Sequence, residues 1–206
     1  MEDVLEAYHL PYDKRFPLVC MDESCKQLVG EVTPELPQVP GRPRRIDHEY
    51  VRHGVAEIFL AVEPLTGRRY LTVGESRTRR DWACFIRHLL EERYAQATRV
   101  RLVLDNLNTH TTASLYETFP APEARHLAQR LEFHYTPKHG SWLNVAEIEF
   151  SALQSQCLDR RLASLKILRQ EIDAWQTHRN QRPKPIDWQF TTAEARVKLR
   201  HIYPNL

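Results

Sequence analysis

Residues 100–105 read VRLVLD, a short apolar run that ends in the carboxylate of Asp105. A run of this kind is typical of a strand that is covered on both faces of a sheet. Residues 16–21, FPLVCM, have the same character and lead directly to Asp22. The sequence therefore predicts two buried strands, each of which presents an acid at its carboxyl end or in its last turn.

The segments around these two runs predict the rest of a sheet. Residues 50–62 and 69–73 have the pattern of a β-hairpin whose turn contains proline and glycine. Apolar residues recur at helical spacing over residues 79–94, which predicts an amphipathic helix. A helical stretch broken around Pro120 and Pro122 follows, and then a strand over residues 131–135. This order predicts a mixed α/β sheet with an antiparallel meander and parallel crossovers.

The remaining regions predict a single domain with irregular additions. Residues 1–15 form a polar lead-in or linker, and the four prolines within residues 33–45 predict a loop or an extended arm. The final third is helical in pattern to about residue 180, with a break near residues 163–164. With 206 residues and 42% hydrophobic content, the chain suits one domain with its own core, with or without a small helical appendage.

A third acid, Glu147, lies on the first helix of this final third. At 100° per residue it falls in a polar strip between two arcs that are predicted to be buried, one of which contains Val145 and Ile148. Glu149 points about 200° away from Glu147, so one helix cannot direct both acids into one site. We therefore expect Glu147 to be the acid that faces Asp22 and Asp105.

Three anions that converge in a partly buried site raise one another's pKa values unless a cation neutralises them. Asp22, Asp105 and Glu147 are thus a candidate site for Mg²⁺ or Mn²⁺. Two such ions, about 4 Å apart, would activate a water or a DNA 3′-hydroxyl and stabilise the leaving oxygen at phosphorus. Each acid also has an ordinary interpretation: Asp22 as a strand-end turn residue, Asp105 as part of an Asx-turn series, and Glu147 as a surface helix residue.

The overall charge leaves nucleic-acid binding open. The 29 Lys and Arg against 27 Asp and Glu give a net charge of +2, which does not by itself indicate DNA binding. Basic residues cluster at residues 42–45, 68–69 and 77–80, and each cluster suits either phosphate neutralisation or an ordinary solvated surface. The absence of CxxC pairs, of a signal peptide and of an apolar span predicts a soluble, cytoplasmic protein with reduced thiols.

Further candidates lie close to the acids in the sequence. His110 and His139 suit the positioning of DNA or of a proton, or a solvated or structural role. Tyr135 and Trp142 flank the basic loop 137–140, which suits either contact with a nucleic-acid strand or attachment of the loop to the core. No zinc-binding spacing of Cys and His is present, so no zinc site is predicted.

Longer motifs resemble one known family. Residues 104–110, LDNLNTH, and residues 137–150, PKHGSWLNVAEIEF, closely resemble the mariner-superfamily DDE transposases of bacterial insertion sequences. Residues 19–23, VCMDE, resemble the first acidic motif of that family. Residues 156–161, QCLDRR, and residues 187–193, DWQFTTA, are also similar, so the resemblance extends over almost the whole chain.

The resemblance implies an α/β ribonuclease-H-like fold, with a mixed five-stranded sheet flanked by helices and a helical C-terminal part. It implies a DDE catalytic domain over residues 16–206 that uses Mg²⁺ (or Mn²⁺) to cleave double-stranded DNA at element ends and to transfer strands into target DNA. Asp22, Asp105 and Glu147 would be the catalytic, metal-binding residues. The residues expected to contact DNA are Asn106, Asn108, His110, Lys138, His139, Trp142 and Asn144.

The resemblance also implies partners. Family members usually carry helix-turn-helix modules before the catalytic domain, and the 21 residues that precede Asp22 leave no room for one with its own core. We therefore expect a homo-oligomer in the active complex, a transposase polypeptide that bears a helix-turn-helix as a partner, and location on the nucleoid when DNA is bound. The rival functions are a catalytically idle DNA-binding or regulatory remnant of a transposase, and a non-transposing nuclease of the same fold.

Overall fold

A computed structural model describes residues 1–33, 39–41 and 48–200. Within these residues the strands are β1 (Leu18–Glu31), β2 (Tyr50–Glu63), β3 (Arg68–Gly74), β4 (Val100–Leu104) and β5 (Leu131–Tyr135). They form one sheet in the order β3-β2-β1-β4-β5. The pairs β1–β2 and β2–β3 are antiparallel, whereas β4 is parallel to both β1 and β5. The predicted mixed five-stranded sheet is confirmed, including its hairpin and its parallel crossovers.

The described residues form seven α-helices: α1 (Glu2–Tyr8), α2 (Arg79–His88), α3 (Thr112–Thr118), α4 (Ala121–Gln129), α5 (Val145–Leu153), α6 (Leu165–Gln181) and α7 (Thr192–Lys198). Turns of π-helix extend α2 to Arg93 and α5 to Leu158. The predicted helix over residues 79–94 is therefore confirmed, as is the break at Pro120, which separates α3 from α4. None of the described helices is long and apolar enough to cross a membrane.

The first strand is longer than predicted, and Asp22 lies inside it rather than at its end. Residues 22–27 read DESCKQ and lack the apolar signature of a buried strand. They remain extended because β2 pairs with β1 from Cys20 to Glu31, a tertiary effect that overrides local propensity. On its other side, β1 pairs with β4 over residues 18–20. Asp22 thus lies just beyond the point where the pairing of β1 with β4 stops.

Both faces of the sheet are covered, because successive side chains of a strand point to opposite sides. In β1, Leu18 and Cys20 join a core with α1, α5, α6 and α7, on what we call the α5 face. Val19 and Met21 join a second core with α2, α3 and α4, on what we call the α2 face. The two cores divide the helices between two layers, which is the architecture that the alternation of helices and strands predicts.

The N-terminal segment packs in the core, so the predicted lead-in or linker over residues 1–15 needs correction at residues 2–8. Val4 and Leu5 of α1 are fully buried, and α1 packs against β5 and α7. Burial of each such side chain contributes about 1.5–3 kcal/mol, which a solvated linker would forgo. Helix α7 has no counterpart among the predicted helices, although Thr191 and Glu194 form a capping box at its start.

Helix α6 covers the outer edge of β3. Gln176 Oε1 accepts a hydrogen bond from Leu71 N at 2.5 Å, and Asn180 exchanges two hydrogen bonds with the backbone of Arg69 at 3.1 and 2.7 Å. An open strand edge would leave these backbone groups unpaired and ready to join another chain. The helical C-terminal part is therefore joined to the sheet by specific polar contacts as well as by its apolar side.

Candidate metal and DNA site

Asp22 on β1 and Asp105, which directly follows β4, lie equally far beyond the paired residues of two neighbouring strands. Leu18 pairs with Arg101, and the same offset of 83 residues separates Asp22 from Asp105. Cys20 and Val103, each two residues before one of these acids, both belong to the core of the α5 face. Each acid lies two residues beyond the last pair, Cys20 and Val103, so two carboxylates that are distant in the sequence come to the same end of this parallel pair.

Glu147 approaches the same place from the first turn of α5. Asn144 caps this helix, because its Oδ1 accepts a hydrogen bond from Ala146 N at 3.1 Å. The Asn144 amide also donates to the Met21 carbonyl at 2.8 Å, which attaches the start of the helix to β1 next to Asp22. Glu147 itself lies on the exposed side of this turn. The capping residue thereby sets the position of the third acid relative to the first.

Tyr8 of α1 is a second attachment point for the start of α5. Its hydroxyl donates to the Leu143 carbonyl at 2.6 Å and accepts from Val145 N at 3.3 Å. Burial raises the pKa of the Tyr8 phenol well above its usual value, so the hydroxyl keeps its proton and can donate. Sequence reasoning misses this residue because it lies in the segment that is predicted to be a linker.

The electrostatics of Asp22 report the proximity of the other acids. Burial raises the pKa of Asp22 to about 6; a hydrogen bond from Glu23 N opposes this rise, and the charges of Asp105 and Glu147 add to it. Three mutually repelling carboxylates supply the hard oxygen donors that Mg²⁺ and Mn²⁺ prefer, so the donor set fits such an ion. Within the described residues, no group of three acidic, His or Cys side chains is already close enough to hold one.

His110 links Asp105 to Glu23. Its Nδ1 lies 2.5 Å from Asp105 Oδ1, and its Nε2 lies 3.0 Å from Glu23 Oε1. The His110 side chain is 1% exposed and that of Glu23 is 5% exposed. Burial lowers the pKa of His110, but hydrogen bonds and charges from both acids outweigh burial and raise this pKa to about 9. The protonated ring donates to both carboxylates and so holds Asp105 in one orientation.

The structure divides the predicted DNA contacts into two groups. Four of them are exposed in the loops after β4 and β5: Asn106, Asn108, Lys138 and His139. His110 and Asn144 are each 1% exposed, and their polar atoms are occupied by the protein contacts described above. In this conformation those two side chains offer no surface to DNA, and what they do is position Asp105 and α5.

The loop between β5 and α5 is both attached to the core and open to solvent. Tyr135 donates its hydroxyl to the His110 carbonyl at 2.8 Å, which anchors one end of the loop. A Cβ at Gly140 would lie 2.6 Å from a Pro137 side-chain carbon, so the tight turn requires glycine. Trp142 stands edge-on to Phe190 at 5.8 Å and is still 44% exposed. Attachment of the loop to the core is therefore confirmed at Tyr135, whereas contact of Trp142 with a nucleic-acid strand stays a prediction.

Glu149 faces away from Glu147, as the helical phase predicts, and it is engaged elsewhere. Arg69 binds it in a bidentate manner, with Nε at 2.7 Å from Oε2 and Nη2 at 3.0 Å from Oε1. Both side chains are buried, at 1% exposure for Arg69 and 4% for Glu149. The predicted burial of Ile148 is wrong, since it is 49% exposed. The ion pair draws the Glu149 side of α5 towards the sheet, and this rotation leaves Ile148 outside.

Some arginines of the predicted basic clusters form ion pairs within the protein. The cluster formed by Arg42, Arg44 and Arg45 lies outside the described residues, as does most of the predicted proline-rich arm. Arg69 is occupied by Glu149, and Arg79 forms an ion pair with Glu117. Two of the cationic side chains that are candidates for phosphate binding are therefore engaged within the protein.

Comparison with known proteins places this geometry in a family. The family described as DDE superfamily endonuclease matches residues 17–169, which contain Asp22, Asp105 and Glu147. No curated protein matches the sequence significantly. The Mos1 mariner paired end complex with Mn is a similar solved structure, with 18% identity and a TM-score of 0.53, over 84% of this chain and 52% of that one. The Mos1 strand transfer complex is similar with 14% identity and a TM-score of 0.56, over 86% and 54% of the two chains.

These likenesses confirm the predicted ribonuclease-H-like fold, a mixed five-stranded sheet flanked by helices. The chain spans about half the length of the solved chains that it resembles, at 52% and 54%. The family match covers well over half of the sequence and includes all three acids. The chain therefore belongs to the DDE superfamily endonucleases.

Proposed function

We propose that this domain is the catalytic domain of a DNA transposase, which cleaves double-stranded DNA at insertion-sequence ends and transfers strands into target DNA with the help of divalent metal ions. The observation that carries the proposal is that Asp22 and Asp105 lie equally far beyond the paired residues of β1 and β4, with the start of α5, which carries Glu147, attached to β1 by Asn144. The family match supports endonuclease chemistry at these residues.

Asp22, Asp105 and Glu147 are the residues that would hold two Mg²⁺ or Mn²⁺ ions. When bound, such ions activate a water or a DNA 3′-hydroxyl and stabilise the leaving oxygen during displacement at phosphorus. The chain's own contribution is orientation: His110 holds Asp105, and Asn144 holds the start of α5 against β1. Ligands held by hydrogen bonds in this way lose less freedom when they bind an ion.

The exposed residues beside the acids are the proposed DNA contacts. Lys138 carries a positive charge that suits a phosphate, and Asn106 and Asn108 present amides that suit hydrogen bonds to phosphate or sugar oxygens. The exposed part of the Trp142 ring suits stacking or packing against a base. His139 lies in the same loop and completes the set.

The proposal extends to partners. The similar Mos1 structures are described as a paired end complex and a strand transfer complex. We therefore propose that this domain acts as a homo-oligomer on DNA, in the cytoplasm and on the nucleoid. A polypeptide that carries a helix-turn-helix module is the proposed partner for recognition of element ends.

The test is metal-dependent nicking and joining of a labelled DNA duplex at low salt, which favours phosphate contacts. Wild type and Glu147→Gln are compared in Mg²⁺ and in Mn²⁺. Glu91→Gln is the matched control. Glu91 is an exposed carboxylate in the π-helical turn that extends α2, on the face of the sheet opposite to α5. Removal of a residue that only supports a metal ligand costs up to about a hundredfold, and loss of a ligand itself should cost at least as much. We therefore expect Glu147→Gln to lower the rate at least about a hundredfold, and Glu91→Gln to leave it unchanged.

The outcomes separate the rival functions. Wild-type products that require metal and disappear in Glu147→Gln support the proposal. Cleavage without joining of pre-cut ends would replace it with a non-transposing nuclease of the same fold. DNA binding without any metal-dependent product, with or without a helix-turn-helix partner, would replace it with a regulatory remnant.

A further inference from the structure

A basic cavity lies at the carboxyl end of α6, away from the three acids. It has a volume of about 460 Å³ and is lined by His178, Arg179, Gln181, Arg182 and Lys184. No acidic side chain lines it within the described part of the chain. We call it the basic pocket.

One wall of the basic pocket is held by the buried ion pair behind α5. Arg179 Nη2 lies 3.5 Å from Glu149 Oε1, and the Arg179 guanidinium lies 5.6 Å from the centre of the Trp175 ring. The Arg179 Nε is buried and has no hydrogen-bond partner. Arg69 already binds Glu149 through two shorter hydrogen bonds, so the single negative charge of Glu149 serves two guanidinium groups. A net positive charge remains at this wall.

The opposite wall is held by the turn between β2 and β3. Gly67 has a φ of +68°, and a Cβ there would lie 2.1 Å from the Lys184 carbonyl oxygen. Ile186 N donates a hydrogen bond to the Pro64 carbonyl at 2.8 Å. The backbone that carries Lys184 is therefore packed tightly on this turn, and the cavity exists before any ligand arrives.

The cations of the basic pocket are available to a ligand. Arg182 and Lys184 are exposed, and among the described residues neither side chain forms a hydrogen bond or an ion pair. Like charges held close together repel one another, and an anion in the cavity would relieve this repulsion. Guanidinium forks and a lysine point charge are the groups with which proteins bind phosphate.

The position of the basic pocket suits a phosphate on the same DNA that the acids would act on. Glu149 contacts the pocket through Arg179, and Glu147 lies two residues away on the opposite side of α5. A helix with its side chains is about 10–12 Å across, and the Arg179 side chain adds to this distance, so the two sites are separated by more than one helix diameter. Duplex DNA carries one charge per about 1.7 Å of its axis, so a duplex at the acids brings several phosphates within this range.

We propose that the basic pocket binds a backbone phosphate of the DNA, as a positioning contact separate from the acids. The inference rests on the proposed function, because it requires that the domain bind DNA. A contact of this kind carries no base specificity; it fixes the path of the duplex over α5.

The experiment measures the salt dependence of DNA binding by the full chain. Affinity for a labelled duplex is followed by fluorescence anisotropy between about 50 and 200 mM salt, with Ca²⁺ in place of Mg²⁺, for wild type and for Arg182→Ala/Lys184→Ala. The matched control is Arg99→Ala/Arg125→Ala, which removes two exposed arginines, one before β4 and one on α4. Log affinity decreases linearly with log salt. We expect this slope to become shallower by about 0.9 for each phosphate that the pocket variant no longer neutralises, and to stay unchanged in the control.

The outcomes keep this inference distinct from the proposed function. Equal slopes in the pocket variant and the control overturn the inference, even where the wild type nicks DNA. A slope that falls only in the pocket variant supports it, even where no nicking is found. A titration with inorganic phosphate forms the second arm: phosphate binding that disappears in the variant, with an unchanged DNA slope, would assign the pocket to a small phosphate and overturn the DNA contact. No DNA binding by wild type at any salt overturns both.

Discussion

Glu147 and Glu149 lie two residues apart on α5, yet the same type of side chain has opposite surroundings on the two flanks of that helix. Glu147 is exposed and lies on the side of α5 that faces Asp22 and Asp105, and its charge adds to the rise in the pKa of Asp22. Glu149 is buried, and its flank supplies the guanidinium groups of Arg69 and Arg179. The comparison shows that residue type does not assign a role to an acid. The role depends on the flank that the acid faces, and the Glu149 flank is the one that already supplies cations.

The largest change in stability is expected when the ion pair that neutralises Glu149 is broken. Arg69→Met leaves Glu149 buried without its bidentate partner, and breaking a buried ion pair in this way costs about 3–5 kcal/mol. We therefore expect the free energy of unfolding to fall by that amount in urea denaturation. Glu147→Gln should change it by no more than about 0.5 kcal/mol, because Glu147 is an exposed side chain.

The control for this prediction is the double variant Arg69→Met/Glu149→Met. Replacement of both members of a buried pair by apolar side chains is often close to neutral, so most of the stability should return. A cost below about 1 kcal/mol for Arg69→Met alone would show that the Glu149 flank is not a stabilising unit, and the contrast between the two flanks would fail.

A smaller effect, on metal affinity, is expected when the side chain that holds His110 against Asp105 is removed. Glu23→Ala removes the acceptor of the His110 Nε2 hydrogen bond, so Asp105 loses its fixed orientation. Removal of such a supporting side chain typically costs 10–100-fold in metal affinity, which a titration with Mn²⁺ followed by electron paramagnetic resonance measures. Glu23→Gln keeps an acceptor oxygen and should recover most of the affinity. Equal decreases in the two variants, or none in Glu23→Ala, would remove Glu23 from the site.

The smallest effect is a pH dependence that only the acid flank should show. The pKa of Asp22 is raised from 3.8 to about 6, so the folded state binds a proton more readily than the unfolded chain. In the metal-free protein the contribution of Asp22 to the free energy of unfolding should therefore rise as pH falls through about 6 towards 4, and be lost as pH rises through the same window. His110, whose pKa is raised to about 9, stays protonated in the folded state across this window.

Asp22→Asn is the control, since an amide does not titrate. Urea denaturation in the presence of a chelator should show that the stability of wild type relative to Asp22→Asn increases as pH falls from about 6 to about 4. The same slope in both proteins would mean that Asp22 lies in an ordinary solvated setting, away from the other acids.

Much of the fold could be predicted because its signals are local. The run that forms β4 is short and mostly apolar, the run that forms β5 alternates apolar with polar residues, and the hairpin of β2 and β3 has a proline and a glycine at its turn. The amphipathic period over residues 79–94 predicts α2 and its extension. These segments have patterns that agree with the structure that tertiary packing requires, so sequence alone finds them.

The features that sequence reasoning misses depend on partners that are distant in the chain. The second half of β1 is polar and is extended because β2 pairs with it. Helix α1 is short, and it forms against β5 and α7, which come more than a hundred residues later. Glu23 and Arg69 give no sign of their roles, since His110 and Glu149 meet them only after folding. No local pattern reports contacts of this kind.

The sequence by itself determined the mixed α/β sheet, the three candidate acids and the choice of Glu147 over Glu149, because strand and helix periods decide which side chains share a face. Tertiary structure alone decided that the register of β1 with β4 brings Asp22 and Asp105 to the same end of these strands, that Asn144 attaches α5 to β1, and that a cluster of cations faces a cavity behind Glu149. The physical reason is that periodicity describes direction within one element, whereas register, capping contacts and charge balance arise between elements.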